Sequence, residues 1–228
     1  HAAGHESRHL RFNLPLQELP EELQALYLPS FADEVFIRVN GIPVHGHELI
    51  DRQPARMWNI PVLATVPPNL LHAGENRIDI ALYGYPQEGL VLEPFHFGPA
   101  KSLVPHYNWR FLYSAGMARF NLGFMAVVGV MLGIIWAARR SEAIYAVLAT
   151  SCAFACIICI HFGFDTSVIG YRWWSLIWHV SVSIYVFLIF KFCNYYIGES
   201  LKPLETVSLS LIAAEVVVGS IVPSPYLF

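Results

Sequence analysis

FNLGFMAVVGVMLGIIWAA, residues 120 to 138, decides the fold: it holds no charge and is bounded by Arg119 and Arg139. Coiled as a helix rising 1.5 Å per residue, it is about 28 Å long, close to the roughly 30 Å hydrocarbon core of a bilayer. Three more apolar stretches of similar length follow, at residues 143–160, 173–192 and 206–222, joined by the short linkers ARRSE, HFGFDTSVIGYR and CNYYIGESLKPLE. Short linkers make successive helices antiparallel neighbours, so residues 106–228 are expected to form a bundle of about four membrane-spanning helices.

Composition supports two solvents for one chain. Of 228 residues 55% are hydrophobic and 14% charged, and the mean hydropathy is +0.47. A soluble domain carries about a quarter charged residues. Arg, Asp and Glu are frequent up to Glu93, whereas the second half has long uncharged runs. A net charge of −3 without a concentrated basic face excludes nucleic acid as a partner. All four cysteines, Cys152, Cys156, Cys159 and Cys193, lie in the apolar half, so residues 1–105 have no disulfide framework. The opening HAAGHESRHL has no basic start followed by an apolar run, so no signal peptide is read in it.

Residues 1–105 read as an extracytoplasmic all-β domain. Short bursts with a period of two predict strands at 8–14, 23–28, 34–39, 57–62, 77–83 and 90–97. In EVFIRVNG, residues 34 to 41, Val35, Ile37 and Val39 share one face, Phe36 and Arg38 the other, and Asn40-Gly41 supplies a tight hairpin turn. In NRIDIALYG, residues 76 to 84, Ile78, Ile80 and Leu82 are expected to be buried and Asp79 to face away. About six short strands at regular spacing imply an antiparallel sandwich or jelly roll.

The order VNGIPVHG, then WNIPVLATVPPNLLHAGENRIDIALYG, then FHFGP resembles the galactose-binding-like jelly rolls of carbohydrate-binding modules and bacterial receptor sensor domains; Leu70, Leu71, Gly74 and Asn76 fit that family's turn. A complete jelly roll has eight strands, so one or two are expected upstream of His1. This domain leads through an aromatic linker (Tyr107, Trp109, Phe111, Tyr113) into the bundle. The whole looks like the bacterial seven-transmembrane receptors that carry diverse intracellular signalling modules. The resemblance implies an extracytoplasmic sensor of a small-molecule or carbohydrate ligand, relaying to a cytoplasmic kinase or cyclase. The chain departs from that pattern by ending at SPYLF after about four spans, so the output module is not in it.

Orientation follows from cations near the spans, which favour the cytoplasm. Arg139 and Arg140 place the first linker inside, Lys191 and Lys202 the third, while the middle linker has Arg172 opposed by Asp165. Residues before Arg119 are thus expected outside a bacterial inner membrane, with Trp173, Trp174 and Trp178 in an outer interfacial belt and Tyr195 and Tyr196 in an inner one.

Several residues are candidates for chemistry, each set against a plainer role. Cys152, Cys156 and Cys159 have the C-x3-C-x2-C spacing of iron–sulfur radical enzymes, but on an unbroken apolar helix they read as small packing residues. His1, His5 and His9, and His45 and His47 near Glu48, have spacings that metal ligands use. They read instead as a frayed terminus and as exposed polar residues, and neither metal nor cofactor is expected. Gly129 and Gly133 form a G-x-x-x-G stripe, read either as a homodimer seam or as packing within the bundle. Trp58, Tyr83 and Tyr85 are aromatic candidates for stacking on a sugar, or core residues. His179 and Glu215 lie at comparable depth on consecutive spans. They read as a signal-coupling pair, against a protonated Glu215 bonded to Ser181 or Ser183. The rival function is a membrane enzyme or transporter whose site lies among the helices, and a structural adhesin is a third. No HExxH, GxSxG or phosphate loop is present, so this segment is not expected to be an enzyme; a retinal-type receptor is disfavoured because Lys191 is the one lysine in a span, at its end.

Overall fold

The computed structural model describes residues 6–49, 54–85, 89–164, 170–198 and 202–221. The chain forms two compact units that succeed one another at Gly116 and Met117. The first contains β1 (Glu6–Leu16), β2 (Gln24–Leu28), β3 (Glu34–Val39), β4 (Ile42–His45), β5 (Val62–Val66), β6 (Gly74–Gly84) and β7 (His96–Pro99). They make two antiparallel sheets, ordered β1-β6-β3-β4 and β5-β2-β7.

Alternation in the sequence explains why these sheets share one core. Val35 pairs with Leu82, Ile37 with Ile80 and Val39 with Ile78, placing six branched side chains on one face of β3 and β6. All six are buried, together with Leu26 and Leu28 of β2 and Val62, Ala64 and Val66 of β5. Leu10, Phe12, Leu14 and Leu16 of β1 close the edge of this cluster. Phe36, Arg38 and Asp79 point the other way, as their parity requires.

Three strand expectations are corrected. Residues 57–62 do not form a strand: the Ile60 N–H donates to the Met57 carbonyl at 2.8 Å, closing a turn, and β5 starts only after Pro61. Of residues 90–97 the ladder keeps only those from His96, while Leu92 forms a lone bridge with Phe31 and Glu93 N–H donates to the Ser30 carbonyl. The short β4, absent from the reading above, is the return arm of the Asn40-Gly41 hairpin, whose φ values of 50° and 83° are both positive.

The first unit also holds α1 (Ala100–Phe111), so the aromatic linker is helical and the unit runs past the 105/106 division read from composition. This helix lies against β2, β5 and β7, with Ala100 N–H donating to the Leu23 carbonyl and Arg110 Nε to the Pro29 carbonyl. A π-helical turn, Leu112–Gly116, follows.

In the second unit α2 (Met117–Ala138), α3 (Ala143–Gly163), α4 (Tyr171–Ile197) and α5 (Lys202–Ile221) pack in succession. Among the described residues four helices are long and apolar enough to cross a membrane, the first counted from Ala100 to Ala138, as befits a membrane protein. On α2 the side chains of Phe120, Phe124, Val127, Met131 and Ile134 are exposed, giving the helix a largely apolar outward face. All four helices extend beyond the expected spans: α2 and α5 start earlier, at Met117 and Lys202, while α3 continues to Gly163 and α4 to Ile197, where Gly198 at φ 79° ends it. Polar and aromatic residues at a helix end do not stop it; a glycine in the left-handed region does.

Candidate functional site

The charged face of the first sheet follows from the same pairing that builds the core. Asp79 lies in the central strand β6, with Arg11 of β1 directly opposite on one side and Arg38 of β3 on the other. Arg77, two residues before Asp79, shares its face. Arg11 Nε donates to Asp79 at 2.9 Å, and Arg77 Nε reaches both carboxylate oxygens at 2.9 and 2.7 Å. Arg38 instead donates through Nη2 to Glu48 at 2.8 Å, its guanidinium lying over the Phe36 ring, 4.8 Å from the centroid. These six residues line a cleft of about 360 Å³.

Hydrogen bonding from Arg77, joined by Arg11, holds the Asp79 carboxyl below its usual value against a smaller opposing effect of burial, so it stays ionised. Exposed ion pairs of this kind contribute about 0.2–1 kcal/mol each. Their concentration on one face therefore needs a reason other than stability. Three guanidiniums against two carboxylates leave one unit of positive charge, and each arginine keeps terminal nitrogens with no hydrogen bond among the described residues.

The aromatic candidates sit elsewhere. Tyr83 and Tyr85 are 4% and 6% exposed, Tyr83 packing with Phe36 and Ala81 and meeting His9 edge-on, so neither offers a bare ring face to a sugar. Trp58 is half-buried in the turn before β5. Among the histidines, His1 and His5 lie outside the described residues and His9 is exposed beside the cleft. His45, read as exposed, is half-buried at the end of β4, and burial lowers its pKa from the ordinary 6.5, with Glu34 opposing. His47 is exposed and Glu48 is engaged by Arg38. Among the described residues no group of three or more His, Cys, Asp or Glu is placed to hold a metal ion.

In the helical unit the cysteines pack: Cys152 is buried against Gly129, and Cys156 Sγ lies 3.8 Å from the Leu122 carbonyl. His179 and Glu215 are not joined by any hydrogen bond or ion pair among the described residues. His179 Nδ1 lies 2.8 Å from the Ser175 carbonyl, and Ser181 Oγ donates to the Ile177 carbonyl at 2.6 Å. Glu215, half-buried, faces a separate cavity of about 380 Å³ between α4 and α5 with Ser183, Phe187, Phe190, Ser208 and Leu211.

In the helical unit one buried titratable residue escaped sequence reading. His161, counted there as the start of a linker, sits in α3, where its Nδ1 accepts from Trp174 Nε1 at 3.2 Å and its ring stacks on Trp178 at 4.4 Å. Trp174 and Trp178 thus pin α3 to α4 rather than serving only in an interfacial belt; Trp173, Tyr195 and Tyr196 are exposed. The charged cleft was missed for another reason: Arg38 and Asp79 were placed correctly on outward faces, but their neighbours are set by strand order. The available signal was the i, i+2 spacing of Arg77 and Asp79. Compared with known proteins, the chain matches no family model, and neither a curated protein nor a solved structure is similar to it.

Proposed function

We propose that the chain is the sensing and membrane-embedded part of a bacterial signalling receptor in the cytoplasmic membrane. The β-sheet unit, with a jelly-roll topology, takes up a small polar ligand outside the cell. The helices carry the consequence to a kinase or cyclase output on the cytoplasmic side, and a second copy of the chain completes the receptor. The observation that carries this reading is the cleft on the free face of the β1-β6-β3-β4 sheet, whose volume falls within the range of ligand sites, on a chain whose other half is apolar helices. The Asn-Gly hairpin and the turn through Leu70, Leu71, Gly74 and Asn76 add the resemblance to sensor jelly rolls. A second reading, a transporter or membrane enzyme, is favoured by Glu215, a carboxylate in an apolar cavity.

Hydrogen exchange on the whole chain in nanodiscs, with a panel of soluble sugars and sugar acids, separates the two. A sensor is expected to show ligand-dependent protection in β1, β3 and β6, abolished by Arg38→Glu and retained in Glu215→Gln. Protection confined to α4 and α5 and lost in Glu215→Gln would favour the second reading instead.

A further inference from the structure

The chemistry of the cleft selects among ligands. We infer that it binds a polyhydroxylated solute carrying an oxyanion, the negative group seated among Arg11, Arg38 and Arg77 and the hydroxyls donating to Asp79 and Glu48. This rests on the reading of the cleft as the ligand site and deepens it.

Four observations converge. The cleft carries an excess positive charge, and a guanidinium presents a planar fork of donors that matches a carboxylate or phosphate. The arginines are held in advance: Arg11 and Arg77 are both tied through Nε to one carboxylate, and Arg38 is fixed by Glu48 and by stacking on Phe36. Such preorganisation lowers the entropy lost on binding. The tethers use one nitrogen of each guanidinium, so the remaining donors stay available to a ligand. A simple anion site would have no place for two carboxylates; here they supply acceptors on the same surface, which suits hydroxyl groups beside the negative one.

Neutral sugar stacking is the less favoured mode. Of the two rings that line the cleft, Phe36 is 5% exposed and already covered by a guanidinium, and the small polar imidazole of His9 meets Tyr83 edge-on. Polar recognition is left to the charged groups.

Glucose, glucuronate and glucose 6-phosphate share one ring and differ in the group at its end, so titrating each into the full chain in zwitterionic nanodiscs tests the inference. At least one anion is expected to bind about tenfold or more tighter than glucose, the worth of one charge-assisted hydrogen bond. Its affinity should fall as salt is added. Arg38→Gln and Arg77→Gln should each weaken that anion by about tenfold, the loss of such a bond, with an unchanged circular dichroism melt. Glucuronate ahead of the phosphate identifies a carboxylate ligand, and the reverse a phosphorylated one. Glucose binding as tightly as both anions, with sensitivity to the arginine variants, overturns the oxyanion inference and leaves the cleft as the ligand site. Failure of both anions to bind folded protein also overturns it. Anion binding indifferent to both arginine variants overturns the cleft as the site, and with it the reading on which the inference rests.

Discussion

Asn76, 1% exposed, is held by every polar atom of its side chain. Its Nδ2 donates to the His72 carbonyl at 2.7 Å and the Gly74 carbonyl at 3.3 Å; its Oδ1 accepts from His72 N–H at 3.0 Å and Asn40 Nδ2 at 2.9 Å. Asn40 in turn donates to the Leu70 carbonyl and accepts from Arg77 N–H. The residue therefore ties the hairpin turn of β3 and β4 to the loop entering β6, two segments 36 positions apart in sequence. Buried polar groups left without partners cost about 1–3 kcal/mol each. Asn76→Ala removes four hydrogen bonds worth about 0.5–1.5 kcal/mol each and leaves the His72 N–H without its acceptor, so the opening free energy of β3 and β6 is expected to fall by about 3 kcal/mol. Hydrogen exchange of those strands reads this as protection reduced by roughly a hundredfold; a change under threefold would show that Asn76 does not hold the two turns together. The turn motif was legible from Leu70, Leu71, Gly74 and Asn76 alone. The partnership with Asn40 was not, because periodicity tells which way a side chain points and nothing about which loops meet.

At the level of elements, strands with strict alternation and long apolar helices were readable, and their ends were not. β3 begins and ends where its alternation predicts, whereas residues 57–62 were misread because WNIPV looks strand-like in composition while Pro61 has no N–H to give the ladder. Among the helices, the stripe of Gly129 and Gly133 left two partners open. A Cβ placed on Gly129 would lie 3.0 Å from the Cβ of Cys152 in α3, while one on Gly133 would meet nothing within 4 Å. The first glycine therefore serves the α2–α3 contact, and the second lies on a free part of α2. Gly129→Leu is expected to force the two helices apart and destabilise the helical unit by about 1–3 kcal/mol, the usual penalty for overpacking. Gly133→Leu should leave the unit's melting temperature in detergent unchanged or higher, since leucine is the better helix former. Equal losses at both positions would mean that the stripe acts as one seam, with a second copy covering Gly133.

For the whole chain, the direction of insertion depends on which cations remain free to be counted. Arg119 and Arg172 lie at the end of the bundle that the positive-inside pattern assigns to the outside, and on number alone they weaken that assignment. The structure gives both a local partner at that end. Arg119, near the start of α2, donates to the carbonyl of Gly163, the last residue of α3; Arg172, at the start of α4, donates to the carbonyl of Ser220 in the last turn of α5. Each sits where a helix C-terminus leaves unpaired carbonyls and a partial negative charge, which a guanidinium offsets. Among the described residues, Arg139 at the opposite end has a long contact with Glu142, at 3.4 Å, and Arg140 stacks on Trp136. Lys191 is 4.0 Å from Glu205. Cations at this second end stay exposed to water, which leaves them free to act in the positive-inside pattern on which the proposed orientation rests. Single cysteines at Ser102 and Ser141, in a background lacking Cys152, Cys156, Cys159 and Cys193, are therefore expected to react with a membrane-impermeant maleimide from opposite sides. Ser102 should label in intact cells and Ser141 only after lysis. Arg119→Gln should loosen the α2–α3 end without inverting this pattern, because its charge already serves the α3 terminus. Labelling of Ser141 in intact cells would reverse the orientation and put the arginine-lined cleft on the cytoplasmic side, where it could not sense an external solute.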